Sequence, residues 1–212
     1  MKIIPSILAI LFLFSAGQVT SSAQNTNTAT VEPLLVSKAL QDEDCRHWVD
    51  SVMNKLSFKE KVGQLFIYTI APIDTKRNLE LLHEAVETHK VGGLLFSGGK
   101  MQTQVELTNR AQKQAKVPVM ITFDGEWGLA MRLRGTPVFP RNMVLGCIRD
   151  NQLIYEYGSE VARQCRQIGV QVNFAPVADV NINPKNPVIN TRSFGEDPIQ
   201  VADKVIAYAS GL

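Results

Sequence analysis

The chain has 212 residues, 45% of them hydrophobic, and its 22 basic and 20 acidic side chains leave a net charge of +2. That hydrophobic content suits one globular domain with a core of ordinary size. The near balance of charge, with no basic cluster interleaved with aromatics, argues against a nucleic-acid partner.

The N-terminus carries Lys2, an apolar run over 3–14, and the small residues Ser21, Ser22 and Ala23 before Gln24. This is the pattern of a secretory signal peptide of bacterial type over 1–23. The apolar run is too short for a comfortable membrane span, so no stable span is expected after cleavage. No cysteine stands at the cleavage site, which gives no indication of a lipoprotein anchor. The protein is expected to be exported, periplasmic or secreted, with Gln24 as its mature N-terminus. Residues 24–32 are rich in Asn, Thr and Ala and read as a disordered lead-in. Trp48, Val49 and Met53 recur at helical spacing and predict an N-terminal helix, which closes a 24–55 segment. A domain over 56–212 then follows.

Ser57 and Glu60 form a capping box, so a short helix starts there. Residues 62–70 are apolar and β-rich and predict a first strand. Residues 78–89 read as a helix with Leu79, Leu82 and Val86 on one face. A buried strand is expected over 92–97, and a helix with Val105, Ala111 and Ala115 over 102–115. The third strand lies at the start of 117–134, which reads Val-Pro-Val-Met-Ile-Thr-Phe-Asp124-Gly-Glu126-Trp127-Gly-Leu-Ala-Met-Arg132-Leu-Arg. A run apolar on both faces suits a parallel strand buried between layers. Asp124, Glu126, Trp127 and Arg132 then crowd one loop, with Gly125 and Gly128 letting the backbone turn. In (β/α) architectures ligands bind at that end of the strand. A plain alternative is that Asp124 caps a helix and Arg132 pairs with it.

Residues 135–147 read as a Pro-containing loop, 151–168 as a helix, and 170–177 as a fourth strand ending near Asp179. Asp197 followed by Pro198 is a helix start, and that helix should run to about residue 209. Cys45, Cys147 and Cys165 make an odd count for an exported chain. Cys165 falls on an apolar stripe with Ile154, Val161 and Ile168 and reads as a core thiol. No Cys/His spacing resembles a metal site, and His47, His83 and His89 are scattered. No metal or other cofactor is expected.

Strand and helix alternate four times, which implies α/β architecture: a parallel sheet with helices outside it. Four units are half of a TIM-like (β/α)8 barrel, a fold of about 250 residues. The chain ends in or just after a helix, so it is expected to be the first half of such a barrel, lacking the C-terminal half. A complete small doubly wound domain is the competing reading. It lacks a Gly-x-Gly-x-x-Gly loop after its first strand.

Four stretches carry a resemblance. Asp124-Gly-Glu-Trp-Gly-Leu-Ala-Met-Arg132 resembles the Asp-x-Glu-Gly-Gly-x-x-x-Arg segment of glycoside hydrolase family 3. Phe174-Ala-Pro-Val-Ala-Asp179-Val resembles its Ala-Pro-Val-x-Asp-Val segment. Arg192-Ser-Phe-Gly-Glu-Asp197-Pro resembles its Arg-Ser-Phe-Gly-x-Asp-Pro segment, and Gly92-Gly93-Leu-Leu-Phe96 resembles its Gly-Gly-(Ile/Val)-(Ile/Leu)-Phe strand. The resemblance implies an exo-acting, retaining glycosidase acting on terminal β-linked N-acetylglucosamine or glucose. By the same resemblance Asp124, Arg132 and Arg192 bind the sugar, with Glu126, Trp127 and Asp179 in support. Trp127 departs from the first Gly of the family's pair, and Gly125 departs from its usual Gln. A retaining glycosidase needs a nucleophile and an acid/base. The family's nucleophile and acid/base motifs do not occur in 1–212, so both groups are expected beyond Leu212 and the chain alone is expected to be inactive. A non-catalytic carbohydrate-binding α/β module is the alternative.

Overall fold

The computed structural model describes residues 41–212. The expected signal sequence, its expected cleavage point before Gln24 and most of the expected polar lead-in lie outside the described residues. Two compact units divide the chain at Val62 and Gly63.

In the first unit, helix α1 spans Glu43–Lys55. Asp42 caps it, its carboxylate accepting from the amides of Asp44 and Cys45. Glu43 and Asp44 in the first turn and Lys55 in the last complement the helix dipole. Trp48, Val49 and Met53 are all exposed on it. Helix α2, Phe58–Gly63, starts at the predicted capping box. The Ser57 amide donates to Glu60 Oε2 at 2.8 Å, and the Glu60 amide returns to Ser57 Oγ at 3.3 Å.

The second unit is built on a four-stranded parallel sheet of β1 (Ile67–Ile70), β2 (Gly93–Phe96), β4 (Met120–Phe123) and β6 (Val172–Asn173), in that spatial order. Helices follow each strand, as βαβ connection of parallel strands requires. Helix α3 (Lys76–His83) runs on into a π turn, Glu84–Thr88, and is followed by α4 (Met101–Gln114), α6 (Asn151–Gln167) and α7 (Pro198–Gly211). Period-2 alternation gives the sheet two distinct faces. Ile70, Leu94, Phe96, Ile121 and Phe123 join Leu82, Val86, Leu107, Ile154, Val161 and Tyr208 in one core. On the other face Ile67 and Met120 remain 38% and 44% exposed. Four consecutive parallel βα units with one sheet face covered by helices are the arrangement expected of half a (β/α)8 barrel.

The structure corrects several boundaries. The first strand begins only at Ile67, because the capped helix α2 takes residues 58–63. The fourth strand shrinks to Val172–Asn173; Pro176 cannot donate to a ladder, so pairing fails soon after it begins. The predicted loop 135–147 contains a four-residue helix, α5 (Asn142–Leu145). Two two-residue strands, β3 (Gly99–Lys100) and β5 (Leu133–Arg134), pair in parallel beside the main sheet. The stripe of Ile154, Val161, Cys165 and Ile168 is buried as expected. No helix of the described residues is long and apolar enough to cross a membrane.

Candidate functional site

The site forms where β4 and β6 end. Asp124 follows the last residue of β4, and the next peptide is held by Asn173 at the end of β6. The Gly125 amide donates to Asn173 Oδ1 at 2.9 Å, and Asn173 Nδ2 donates to the Gly125 carbonyl at 3.2 Å. A side chain at Gly125 would place Cβ 2.8 Å from the Phe123 ring, so only glycine fits this approach.

Gly128, at φ +86°, then turns the chain into the 3-10 segment Leu129–Met131, which brings Arg132 back to the strand end. Arg132 Nη2 donates to Asp124 Oδ2, and its Nε donates to the Asp124 carbonyl at 3.1 Å. Both side chains are about one-third exposed, 35% for Arg132 and 32% for Asp124. Oδ1 of Asp124 accepts no hydrogen bond from the described residues, which leaves a carboxylate oxygen free for a hydroxyl donor.

Glu126 points the other way, into the protein. It is 2% exposed and receives Arg192, 34% exposed, from 66 residues downstream. Arg192 Nε lies 3.0 Å from both carboxylate oxygens, and Nη2 lies 2.6 Å from Oε1. Nη1 donates to the Val188 carbonyl at 3.2 Å. This is the two-pronged geometry of a charge-assisted Arg–carboxylate pair. The hydrogen bonds to Glu126, then the charges of Glu126, Asp124 and Asp179, raise the Arg192 pKa further, against an opposing contribution from burial. Asp124, Glu126 and Asp179 therefore all lie within electrostatic reach of one guanidinium.

Asp179 is exposed, and its carbonyl accepts the Ser193 hydroxyl at 2.6 Å. Its main chain thus braces the turn that carries Arg192. Trp127 is half-buried, with the Arg141 guanidinium 4.7 Å from its ring centroid. The six residues singled out from sequence thus converge on one end of the sheet.

Three contributors were not foreseen. Asn173 stands on a two-residue strand, and Arg141 and Asn142 open a helix too short to show periodicity. Asn142 Nδ2 donates to the Arg192 carbonyl at 2.8 Å, and Arg141 Nη1 donates to Thr191 Oγ1 at 3.1 Å. No pattern within the sequence ties residues 141 and 142 to residues 191 and 192.

Residues 57–212 match the model of the glycosyl hydrolase family 3 N-terminal domain. A β-N-acetylglucosaminidase/β-glucosidase of Cellulomonas fimi is 27% identical over 174 residues, 81% of this chain and 30% of its own length. A β-hexosaminidase, LpqI, of Mycobacterium tuberculosis is 31% identical over 74% of this chain and 40% of its own. Among solved structures, a family 3 β-N-acetylglucosaminidase from a Paenibacillus species superposes with a TM-score of 0.66 at 32% identity, over 74% of this chain and 31% of that one. A β-glucoside phosphorylase, BglX, superposes with a TM-score of 0.74 at 25% identity, over 80% of this chain and 30% of that one. The chain therefore spans well under half the length of these relatives, but its matched region takes in the whole Asp124–Arg192 site, and it belongs to glycoside hydrolase family 3.

Proposed function

We propose that this chain supplies the sugar-holding part of an exo-acting, retaining β-glycosidase that removes terminal β-linked N-acetylglucosamine or glucose. In this reading Asp124 accepts hydroxyls of the terminal sugar. Arg132 holds that carboxylate oriented, and Arg192, fixed by Glu126, donates to the same sugar. The observation that carries it is that one loop at the end of β4 holds both Asp124, paired with Arg132, and Glu126, paired with Arg192 from the segment after β6. Two fixed ion pairs, each with a partly exposed member, present both an acceptor and a donor edge, which is what a polyhydroxylated ring needs. The nucleophile and acid/base would come from sequence beyond Leu212, and the protein would act outside the cytoplasm after losing residues 1–23.

The test is release of nitrophenol from nitrophenyl β-N-acetylglucosaminide and β-glucoside by the full-length protein, with and without phosphate. Turnover with retained configuration in water supports the reading. Turnover only with phosphate would identify a phosphorylase, the activity named for BglX. Sugar binding with no turnover on any β-glycoside would favour the carbohydrate-binding module instead.

A further inference from the structure

Arg192 is anchored at two points. Glu126 holds its guanidinium, and Asn142 holds its main chain. Asn142 is wholly buried at 0% exposure, and its Nδ2 donates to the Arg192 carbonyl at 2.8 Å. A buried amide is costly unless it is bonded, so its one donated bond is a specific placement rather than a surface accident. Arg141 stands beside it on the solvent side. Its guanidinium covers Trp127 at 4.7 Å, and its Nη1 reaches Thr191 Oγ1 at 3.1 Å. The far end of α5 closes on the same segment. A Cβ at Gly146 would lie 1.7 Å from the Phe194 carbonyl, so the two main chains are in direct contact there. Helix α5 thus touches Thr191, Arg192 and Phe194, and through Trp127 it also reaches the loop that carries Glu126.

We propose that Asn142 is a positioning residue for the sugar site, with Arg141 as its outer brace. This rests on the reading that Arg192 holds the sugar. An arginine reaches its partner through a long flexible stem, and Glu126 can follow a displaced guanidinium only by leaving its buried seat. Fixing the Arg192 main chain lets one guanidinium meet both the buried carboxylate and a ring outside. A displacement of about 1 Å at such a group can cost on the order of a hundredfold in rate.

The test uses the full-length protein and nitrophenyl β-N-acetylglucosaminide or β-glucoside, whichever it hydrolyses. Asn142→Asp keeps the shape and replaces the donor with an oxygen facing the Arg192 carbonyl. It should lower kcat/KM about tenfold, the equivalent of one good hydrogen bond. Arg141→Ala, on the surface, should lower it by about two- to threefold, as expected for an exposed cation–π contact. Amide exchange over 190–193 should quicken in both variants. The deciding measurement is the cycle with Arg192→Lys, which removes the planar fork. If Asn142 acts through Arg192, Asn142→Asp should cost little more in that background, whereas a merely structural defect would cost the same in both. Full additivity, or unchanged kcat/KM with unchanged exchange, would overturn the proposal. If Asn142→Asp does not fold, Arg141→Ala carries the same cycle. An Arg192→Lys enzyme as active as the wild type would instead sink the sugar-holding role of Arg192, and this inference with it, while faster exchange in Asn142→Asp would still report the clasp.

Discussion

Glu126 and Arg192 meet across 66 residues of sequence as an unequal pair: the carboxylate is 2% exposed and the guanidinium 34%. The burial is one-sided, so the two halves of the pair should respond differently to removal.

Arg192→Met should be the more damaging change. It leaves a charged carboxylate in the interior with its partner gone, which costs about 3–5 kcal/mol when a buried pair is broken. Glu126→Gln leaves an arginine that can turn to water, and its cost should be nearer about 1 kcal/mol, one hydrogen bond's worth. Urea unfolding of each variant gives the comparison. A larger loss from Glu126→Gln would mean that the carboxylate serves some partner other than Arg192.

High pH should destabilise the domain through its core. Burial pushes the Cys165 thiol from 9.0 to about 11 and raises both Tyr157 and Tyr208 well above their ordinary 10.0. The Tyr157 and Tyr208 rings lie 5.2 Å apart, and Phe139 adds an edge contact to Tyr157 at 4.9 Å. All three folded-state values are raised. Their contribution is therefore fully present below pH 9, where both states keep the protons. It is lost as pH rises, from 9.0 toward about 11 for Cys165 and from 10.0 upward for the tyrosines, because the unfolded chain releases protons that the folded one retains. Each retained proton costs about 1.4 kcal/mol per pH unit. Denaturation midpoints should hold from pH 8 to about 9 and then fall toward pH 11, and Tyr208→Phe should flatten the fall above pH 10. A level profile would contradict the burial of these groups.

The Gly125 peptide should depend on Asn173. The amide bonds it on both sides, at 2.9 and 3.2 Å, across the gap between β4 and β6. Asn173→Asp keeps the acceptor and loses the donor, and should destabilise the domain by about 1 kcal/mol. Asn173→Leu, which loses both bonds and leaves the Gly125 polar groups unpaired, should cost about 2 kcal/mol or more. Equal stability of all three proteins would show that water serves the peptide as well as Asn173 does.

What could be read from the sequence followed from how local each signal is. The Ser57 and Glu60 box, the Asp197 and Pro198 start of α7 and the apolar stripe of α6 are each contained within a few turns of chain, and each appears in the structure. The four strands were visible as apolar runs, but their lengths were overstated, because an apolar run does not say where pairing stops. Helix α5 and the pair β3 and β5 are too short to carry a period. Within the site, Asp124 and Arg132 lie eight residues apart on one loop, and a pairing was open to inspection. The Glu126–Arg192 pair was not. Only the resemblance set both residues at one site, and nothing local distinguishes the buried Glu126 from the exposed Glu196. Asn142 and Asn173 act through main-chain atoms, which carry no mark in a sequence at all.

Asp124 is where the proposed sugar site meets the sheet, and its carboxylate is already half engaged. Arg132 takes Oδ2, while Oδ1 is left without a partner among the described residues. A carboxylate offers about four lone-pair positions, so one arginine does not exhaust it, and two sugar hydroxyls can still donate. Hydrogen bonds to a charged group contribute about 1.5–3 kcal/mol each, and those to a glycosidase substrate can strengthen toward the transition state. Asp124→Asn keeps the shape and removes the charge. In the full-length protein it should lower kcat/KM by roughly two to four powers of ten, at about tenfold per 1.4 kcal/mol. Arg132→Ala should have a smaller effect, because it frees the carboxylate without removing it. Asp124→Asn should still form a glycosyl-enzyme, slowly, with an activated fluoro-sugar, if the nucleophile is another residue as the proposed function has it. Azide should not rescue it. If Asp124 merely ties down its loop, Asp124→Asn would lower the melting temperature and leave kcat/KM within a few-fold. If azide restored turnover to Asp124→Ala with inverted product, Asp124 would itself be the nucleophile, and its placement among the sugar-binding residues would be wrong.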